Sequence, residues 1–163
     1  TLLQFQDIFQ DFYHRIAESK TENPELCYKP SESPESPEEF AALLHRNRNK
    51  DKLYRTTQSG PHRDDFSFLL NGNKAASFAS EGQQRALVLS LRFVQFEYFR
   101  EKSNTMPVIL ADDILGELDP GRRRRFWDAC NADAQIIATG TELPETSESW
   151  NVFKVLQGTF EAT

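Results

Sequence analysis

Asp112 and Asp113 stand together at the end of a short apolar run, Val108-Ile109-Leu110-Ala111, and Glu117-Leu118-Asp119-Pro120 follows closely. Adjacent carboxylates in such a place can hold Mg²⁺ through oxygen ligands and orient a water toward a phosphoryl group. They can also simply open a loop and cap the next helix. A second group lies upstream, Ser80-Glu81-Gly82-Gln83-Gln84-Arg85. There Ser80 can cap free helix amides, Gly82 lets the backbone approach a ligand, and the helix dipole favours an anion. Ser80 and Gln83 also have the spacing of a capping box, which needs no ligand.

These groups need elements to position them. Val108, Ile109 and Leu110 predict a parallel strand covered on both faces, with the acids at its carboxyl end, where ligand crevices of open α/β sheets lie. After Ser80, Leu87, Leu91, Val94 and Tyr98 recur at helical spacing, and Leu89, Phe93 and Phe96 form a neighbouring stripe. The helix they predict is apolar around much of its circumference, hence buried except at its start. An N-terminal helix over 3–17 carries Phe5, Ile8, Phe9, Phe12 and Ile16 on one side. Residues 31–37 form a Pro/Ser/Glu-rich connection, and Ser36-Pro37-Glu38-Glu39 opens a short helix over 37–46. Residues 53–58 and 66–70 predict strands on either side of a Gly60-Pro61 turn, and Asn71-Gly72 a second turn toward 75–78. Later strands fall at 135–139 and 152–156, after which Gly158 turns into an edge segment. The fold class is α/β, a mixed sheet backed by helices over 83–100 and 121–129.

With the motifs in this order, the chain resembles the ATP-binding-cassette ATPases of the chromosome-maintenance and repair branch, and within it the bacterial RecF family. Residues 79–85 resemble the cassette signature loop, 108–113 the Walker B strand, and Glu117-Leu118-Asp119 the D-loop. Residues 135–143 resemble the last core strand with its switch loop, which carries Thr139 and Thr141. Gly60-Pro61-His62-Arg63-Asp64-Asp65 and residues 25–30 extend the likeness upstream. Thirty residues separate Gly82 from Asp112, a spacing that suits the repair branch better than membrane transporters. Two positions depart from the pattern: Gly116 replaces the usual serine or alanine, which loosens the D-loop, and Phe126 replaces leucine.

The resemblance implies the C-terminal part of a P-loop ABC-type ATPase lobe over 53–163, preceded by the end of a helical arm over 1–52. No G-x-x-x-x-G-K-[ST] phosphate loop occurs in the sequence; in the family that loop lies near the N-terminus, beyond the inserted arm. The chain therefore reads as a fragment, inactive alone. The complete protein is expected to bind ATP and Mg²⁺ and to close as a head-to-tail homodimer on DNA gaps or junctions, acting with mediators of the RecO/RecR type. In that scheme Asp112 holds the metal and Asp113 positions the attacking water. Ser80, Gly82 and Gln83 reach the terminal phosphate from the facing protomer. Asp119 couples the two sites, Thr139 and Thr141 sense the nucleotide, and Arg63 contacts phosphate or the partner protomer. The competing expectation is a nucleotide-independent module that uses residues 1–52 to hold DNA or a mediator protein.

The remaining sequence narrows the field. A net charge of −6 does not preclude a nucleic-acid partner, because binding depends on local patches. Two basic stretches, 45–52 and 122–125, are candidates, against the ordinary alternative of solvated helix faces. No apolar run of about 18 residues or secretory leader is present, so a cytoplasmic protein without membrane insertion is expected. Cys27 and Cys130 read as isolated thiols of a reducing compartment, and His14 and His45 lack partners at metal-ligand spacing. His62-Arg63-Asp64 is not a kinase catalytic loop, since Leu69 stands where asparagine is required.

Overall fold

The computed structural model describes residues 2–113, 116, 118–130, 132–141 and 150–162, with side chains from Phe5 onward. The chain divides into two compact units, 1–94 and 95–163.

In the first unit, helix α1 (Leu2–Ala17) buries Phe9, Phe12, Tyr13 and Ile16. Their i, i+3, i+4, i+7 spacing makes one continuous stripe, and fully burying each such side chain contributes roughly 2 kcal/mol. Tyr13 replaces Phe5 and Ile8 in that fully buried set, and its hydroxyl donates to Glu22 Oε2 at 2.6 Å. The stripe packs on a three-stranded antiparallel sheet ordered β1 (Pro24–Lys29), β2 (Asp65–Leu70), β3 (Asn73–Lys74). Phe9 stacks on Phe68 at 5.7 Å between ring centroids. The β1–β2 register runs from Pro24 opposite Leu70 to Lys29 opposite Asp65. Asn71 and Gly72 both have positive φ, 53° and 76°, as a two-residue type I′ hairpin between β2 and β3 requires.

Between β1 and β2 the chain makes an excursion through α2 (Pro37–Tyr54). Ser36 caps it by accepting from the Glu39 amide at 3.1 Å, with Pro37 in the first turn. The helix runs to Tyr54, eight residues past the expected end, and stops where Arg55 turns left-handed at φ 53°. Thus 53–58 is not a strand. The Arg55 and Thr56 amides both donate to the Asp51 carbonyl, so those residues finish a helix. A 3₁₀ turn (Pro61–Arg63) leads into β2. Residues 75–78 form a one-turn helix, α3 (Ala75–Phe78), with the Ala79 amide closing on the Ala75 carbonyl.

Helix α4 (Glu81–Ser103) crosses from the first unit into the second. Its buried positions are Ala86, Leu87, Ser90, Phe93, Val94 and Phe96, while Val88, Tyr98 and Phe99 are exposed. The helix is therefore amphipathic rather than buried all round. Ser90 is fully buried without penalty because its hydroxyl donates to the Ala86 carbonyl at 2.7 Å. Phe12 of α1 stacks on Phe93 at 4.8 Å.

The second unit contains a parallel pair, β4 (Ile109–Ala111) and β5 (Ile136–Ala138), connected through helix α5 (Pro120–Ala129). This is the crossover that a parallel pairing demands. Leu110 is 74% exposed and Val108 49%, so this strand is not covered on both faces as its composition led us to expect. A hairpin of β6 (Phe153–Leu156) and β7 (Thr159–Ala162) completes the described strands, turning at Gln157 and Gly158, both with positive φ. Parallel and antiparallel pairings are both present among the described strands, distributed over three separate sheets. No described helix is long and apolar enough to cross a membrane.

Candidate functional site

The parallel pair delivers three of the expected residues to one place. Its ladder closes with the Thr139 amide donating to the Ala111 carbonyl at 2.9 Å, which sets the residues after β5 beside those after β4. The Thr139 hydroxyl donates to Asp112 Oδ1 at 2.5 Å and accepts from the Asp113 amide at 3.1 Å. One hydroxyl thus spans both acids. Asp113 is left-handed, φ 51°, which turns the chain sharply away from the strand axis. Its carbonyl accepts from the Gly116 amide at 3.2 Å. A Cβ built on Gly116 would lie 3.2 Å from Asp113 Oδ1, so the carboxylate is folded back over this turn. The two acids therefore have different surroundings: Asp112 on Thr139, Asp113 over Gly116. Thr141 is exposed, and Glu117, Glu142 and Leu143 lie outside the described residues.

All the donors here are hard oxygens, and Asp112, Asp113 and Thr139 are exposed. Mg²⁺ typically takes one or two protein carboxylates and fills its remaining positions with water and substrate phosphate. Asp112, with a hydroxyl beside it, suits that role. Among the described residues, no three His, Cys, Asp or Glu side chains gather into a self-sufficient metal site.

Asp119 serves first as the N-cap of α5. Its Oδ1 accepts from the Arg122 amide at 3.0 Å, and its Oδ2 from Arg122 Nη1 at 3.0 Å. The Arg122 backbone bond, followed by the charge of that guanidinium, holds the carboxyl below its ordinary range. Pro120 supplies the first helical position, and Phe126 and Ala129 bury the inner face of α5.

In the first unit, the loop before α4 realises its capping box. The Ser80 amide donates to Gln83 Oε1 at 2.7 Å, and the Gln83 amide donates to Ser80 Oγ at 3.3 Å. Ser80 is exposed, while Gly82 and Gln83 are half-buried. Gln83 does more than cap: its Nε2 donates to Glu22 Oε1 at 2.6 Å, and the other Glu22 oxygen accepts from buried Tyr13. Tyr13, Glu22 and Gln83 form a chain that fixes the loop to α1. Sequence reasoning missed Glu22 and Tyr13, and nothing local marked them, because the contact joins residues 61 apart.

The Gly-Pro-His-Arg-Asp-Asp segment is likewise held by neighbours. Gly60 has φ 136° and ψ 172°, a conformation essentially restricted to glycine. Arg63 donates from Nε to the Thr57 carbonyl at 3.0 Å and from Nη2 to Thr56 Oγ1 at 3.2 Å. Asp64 does not pair with Arg63. It accepts from the Tyr28 hydroxyl and, at 2.9 Å, from the Ser31 amide. The Tyr28 bond first, then the Ser31 amide, lowers the Asp64 pKa, and the same bond raises that of Tyr28. This pins the start of the α2 excursion to its return.

Comparison with known proteins bears on the whole arrangement. No protein-family model matches the chain. It is 36% identical over 152 residues to the DNA replication and repair protein RecF of Lachnoclostridium phytofermentans, covering 91% of this chain and 41% of that protein. It is 41% identical over 118 residues to RecF of Moorella thermoacetica, covering 72% and 31%. A solved structure of the recombination mediator protein RecF with ATP, in the RecFOR pathway, superimposes with a TM-score of 0.71 at 26% identity, covering 99% of this chain and 44% of that one. The chain matches between 31% and 41% of the length of the curated relatives named here. With sequence and fold in agreement over nearly its full extent, this chain belongs to the RecF family of DNA replication and repair proteins and corresponds to the C-terminal part of its members.

Proposed function

We propose that this chain supplies the hydrolysis and signature elements of an ATP-driven, DNA-binding switch in recombinational repair, completed by the phosphate loop of the rest of a RecF-type protein. The observation that carries the reading is the Thr139 hydroxyl joined to both Asp112 and Asp113 where two parallel strands end. A group so placed feels any change at either acid. Asp112 is assigned to the metal and Asp113 to the water. Thr139, with Thr141 beyond it, is assigned to sensing whether the terminal phosphate is present. The metal, when bound, neutralises developing charge on the phosphates. Asp112 would hold it through its carboxylate, and the Asp113 carboxylate would orient the nucleophile.

On the other side of the composite site, Ser80 and Gly82 present the start of α4 to the phosphate of a facing protomer, where helix amides lack intrahelical partners. Gln83 positions that loop through Glu22 and Tyr13. Asp119 fixes the start of α5 and couples it to the partner, and Arg63 orders the approach to β2 near the interface. ATP favours the closed dimer because it makes contacts there that the open state lacks, and hydrolysis removes the bias. DNA and a recombination mediator protein are the partners this reading requires. Matched structures of the recombination mediator protein RecF with ATP or its analogue support it.

In a complete RecF-type protein carrying this chain, Asp113→Asn should slow ATP hydrolysis at least about 100-fold, since an oriented base contributes on the order of 10²–10⁴, and should prolong the dimer. Ser80→Arg should spare nucleotide binding but block ATP-driven dimerisation. Normal dimerisation of the Ser80 variant, or normal turnover of the Asp113 variant, would refute the assignment. For the isolated chain, calorimetry should detect no tight Mg·ATP binding. Tight binding lost in Asp112→Ala would mean that a separate phosphate cradle exists here.

A further inference from the structure

From the outer face of α2 we infer a docking surface for the phosphate backbone of a nucleic-acid duplex, centred on Arg48 and Lys52. This rests on DNA being a partner, as proposed above, and assigns that contact to one helix face.

Helix α2 is divided by charge along its length. Its first turn carries Glu38 and Glu39, whereas residues 45–55 include Arg46, Arg48, Lys50, Lys52 and Arg55 against the single acid Asp51. Asp51 is already engaged, since its Oδ1 accepts from the Gln58 amide at 2.9 Å. All five cations are exposed, and among the described residues none of them makes an ion pair. The four ion pairs found among the described residues are all local pairs on other helices, three or four residues apart.

Helical spacing arranges these charges. Leu43, Asn47 and Asp51 define the inward stripe: Leu43 is buried, Asn47 Nδ2 donates to Ser59 Oγ at 2.6 Å, and Asp51 holds the loop that returns along that side. His45, Asn49 and Lys52 fall on the opposite stripe, with Arg48 one turn before Lys52 on the same flank, whereas Arg46 and Lys50, also one turn apart, lie together on the other flank. The row from 45 to 55 extends about 15 Å. A duplex carries one phosphate per about 1.7 Å of axis, so several phosphates pass along such a row.

Complementing the helix dipole does not explain this row. That effect is confined to the last turn, yet Arg46 and Arg48 lie more than one turn from the end at Tyr54. Exposed cations that make no ion pair within the described residues repel one another, and an external polyanion relieves that repulsion. The guanidinium of Arg48 and the ammonium of Lys52, one turn apart on an exposed helix side, complement the charge of a duplex backbone. Residues 122–125 offer no such row, because Arg122 is committed to Asp119 and three of the four arginines are half-buried.

The test is fluorescence anisotropy of this chain with a labelled 20-base-pair duplex between about 50 and 200 mM salt, where the phosphate contribution dominates. Arg48→Gln combined with Lys52→Gln should lower the slope of log affinity against log salt by about 1.8 and weaken binding at least tenfold at low salt, regardless of sequence. A matched pair elsewhere, Lys20→Gln with Lys74→Gln, should leave both unchanged. Circular dichroism should show the same helix content in all three proteins. Duplex binding that survives the Arg48 and Lys52 changes would refute the surface while leaving DNA as a partner. Failure of the unaltered chain to bind duplex would refute the surface and the DNA reading of this chain together. Displacement of the duplex by a glutamate-rich peptide of equal charge, at equal concentration, would instead assign the row to an acidic protein.

Discussion

At the residue level, small hydrogen-bonded sets hold the functional segments, and each is open to a single substitution. Tyr28 and Asp64 share one bond, which lowers the carboxyl pKa and raises the phenol pKa. A lowered carboxyl contributes stability above its ordinary pKa and loses it as pH falls through the lowered value. A raised phenol contributes below its ordinary pKa and loses it as pH rises through the raised value. The bond is therefore at full strength between those limits and weakens at both extremes. Tyr28→Phe should return the Asp64 titration, followed by carboxyl carbon NMR, toward the ordinary value; an unmoved titration would show that Ser31 alone sets it. At the other site, Thr139→Val removes the hydroxyl that spans Asp112 and Asp113. It should speed hydrogen exchange at the Asp113 amide at a cost of about 1 kcal/mol, and Thr139→Ser should restore protection. Equal exchange in all three proteins would deny the bond any role in holding the turn.

At the level of elements, the caps place the motifs. Asp119 begins α5, and its carboxyl is held low by the Arg122 amide, so its contribution is present above the ordinary carboxylate pKa and fades as pH falls through the lowered value. Asp119→Ala should cost about 1 kcal/mol, and Asp119→Asn a few tenths, because asparagine caps nearly as well. Thermal unfolding at neutral pH would distinguish them, and an equal loss from both would point to charge rather than capping. Helix α4 begins with its own capping box, but that box is also moored to α1 through Glu22 and Tyr13. Tyr13→Phe leaves a Glu22 oxygen short of a donor. A loss of roughly 1–2 kcal/mol is expected, with faster exchange at the Gln83 amide; unchanged exchange there would show that the loop does not depend on the mooring.

For the molecule as a whole, the most informative property is the amount of apolar strand surface left open. Leu110, Ile137, Phe153, Val155, Leu156 and Phe160 are each more than half exposed. The chain matches between 31% and 41% of the length of its named relatives, and strands of this composition normally pack on a second layer. Leu110→Ser should change the thermal stability of this chain by no more than about 0.5 kcal/mol, as expected at a solvated position. A loss of 2 kcal/mol or more, the range for a buried leucine, would mean that the strand is covered in solution, by self-association if the loss depends on concentration.

Local chemistry made several features readable from sequence. Ser36 with Pro37 and Asp119 with Pro120 begin helices because the cap and its amide lie three residues apart. Asn71-Gly72 makes its hairpin because those two residues tolerate positive φ. The motif order was enough to indicate the RecF family. The misread segments were those where local signals conflict: Thr56 and Thr57 favour a strand, but the Asp51 carbonyl captures the amides of Arg55 and Thr56 and completes a helix. Leu110 looks like a core residue, yet its burial depends on a layer that composition cannot supply. Only the tertiary structure decided that β1 pairs with β2 across the α2 excursion, that Glu22 meets Gln83, and that Thr139 reaches Asp112. Each of these joins residues 27 or more apart, where strand register and helix packing, rather than the preferences of neighbouring residues, determine which polar groups meet.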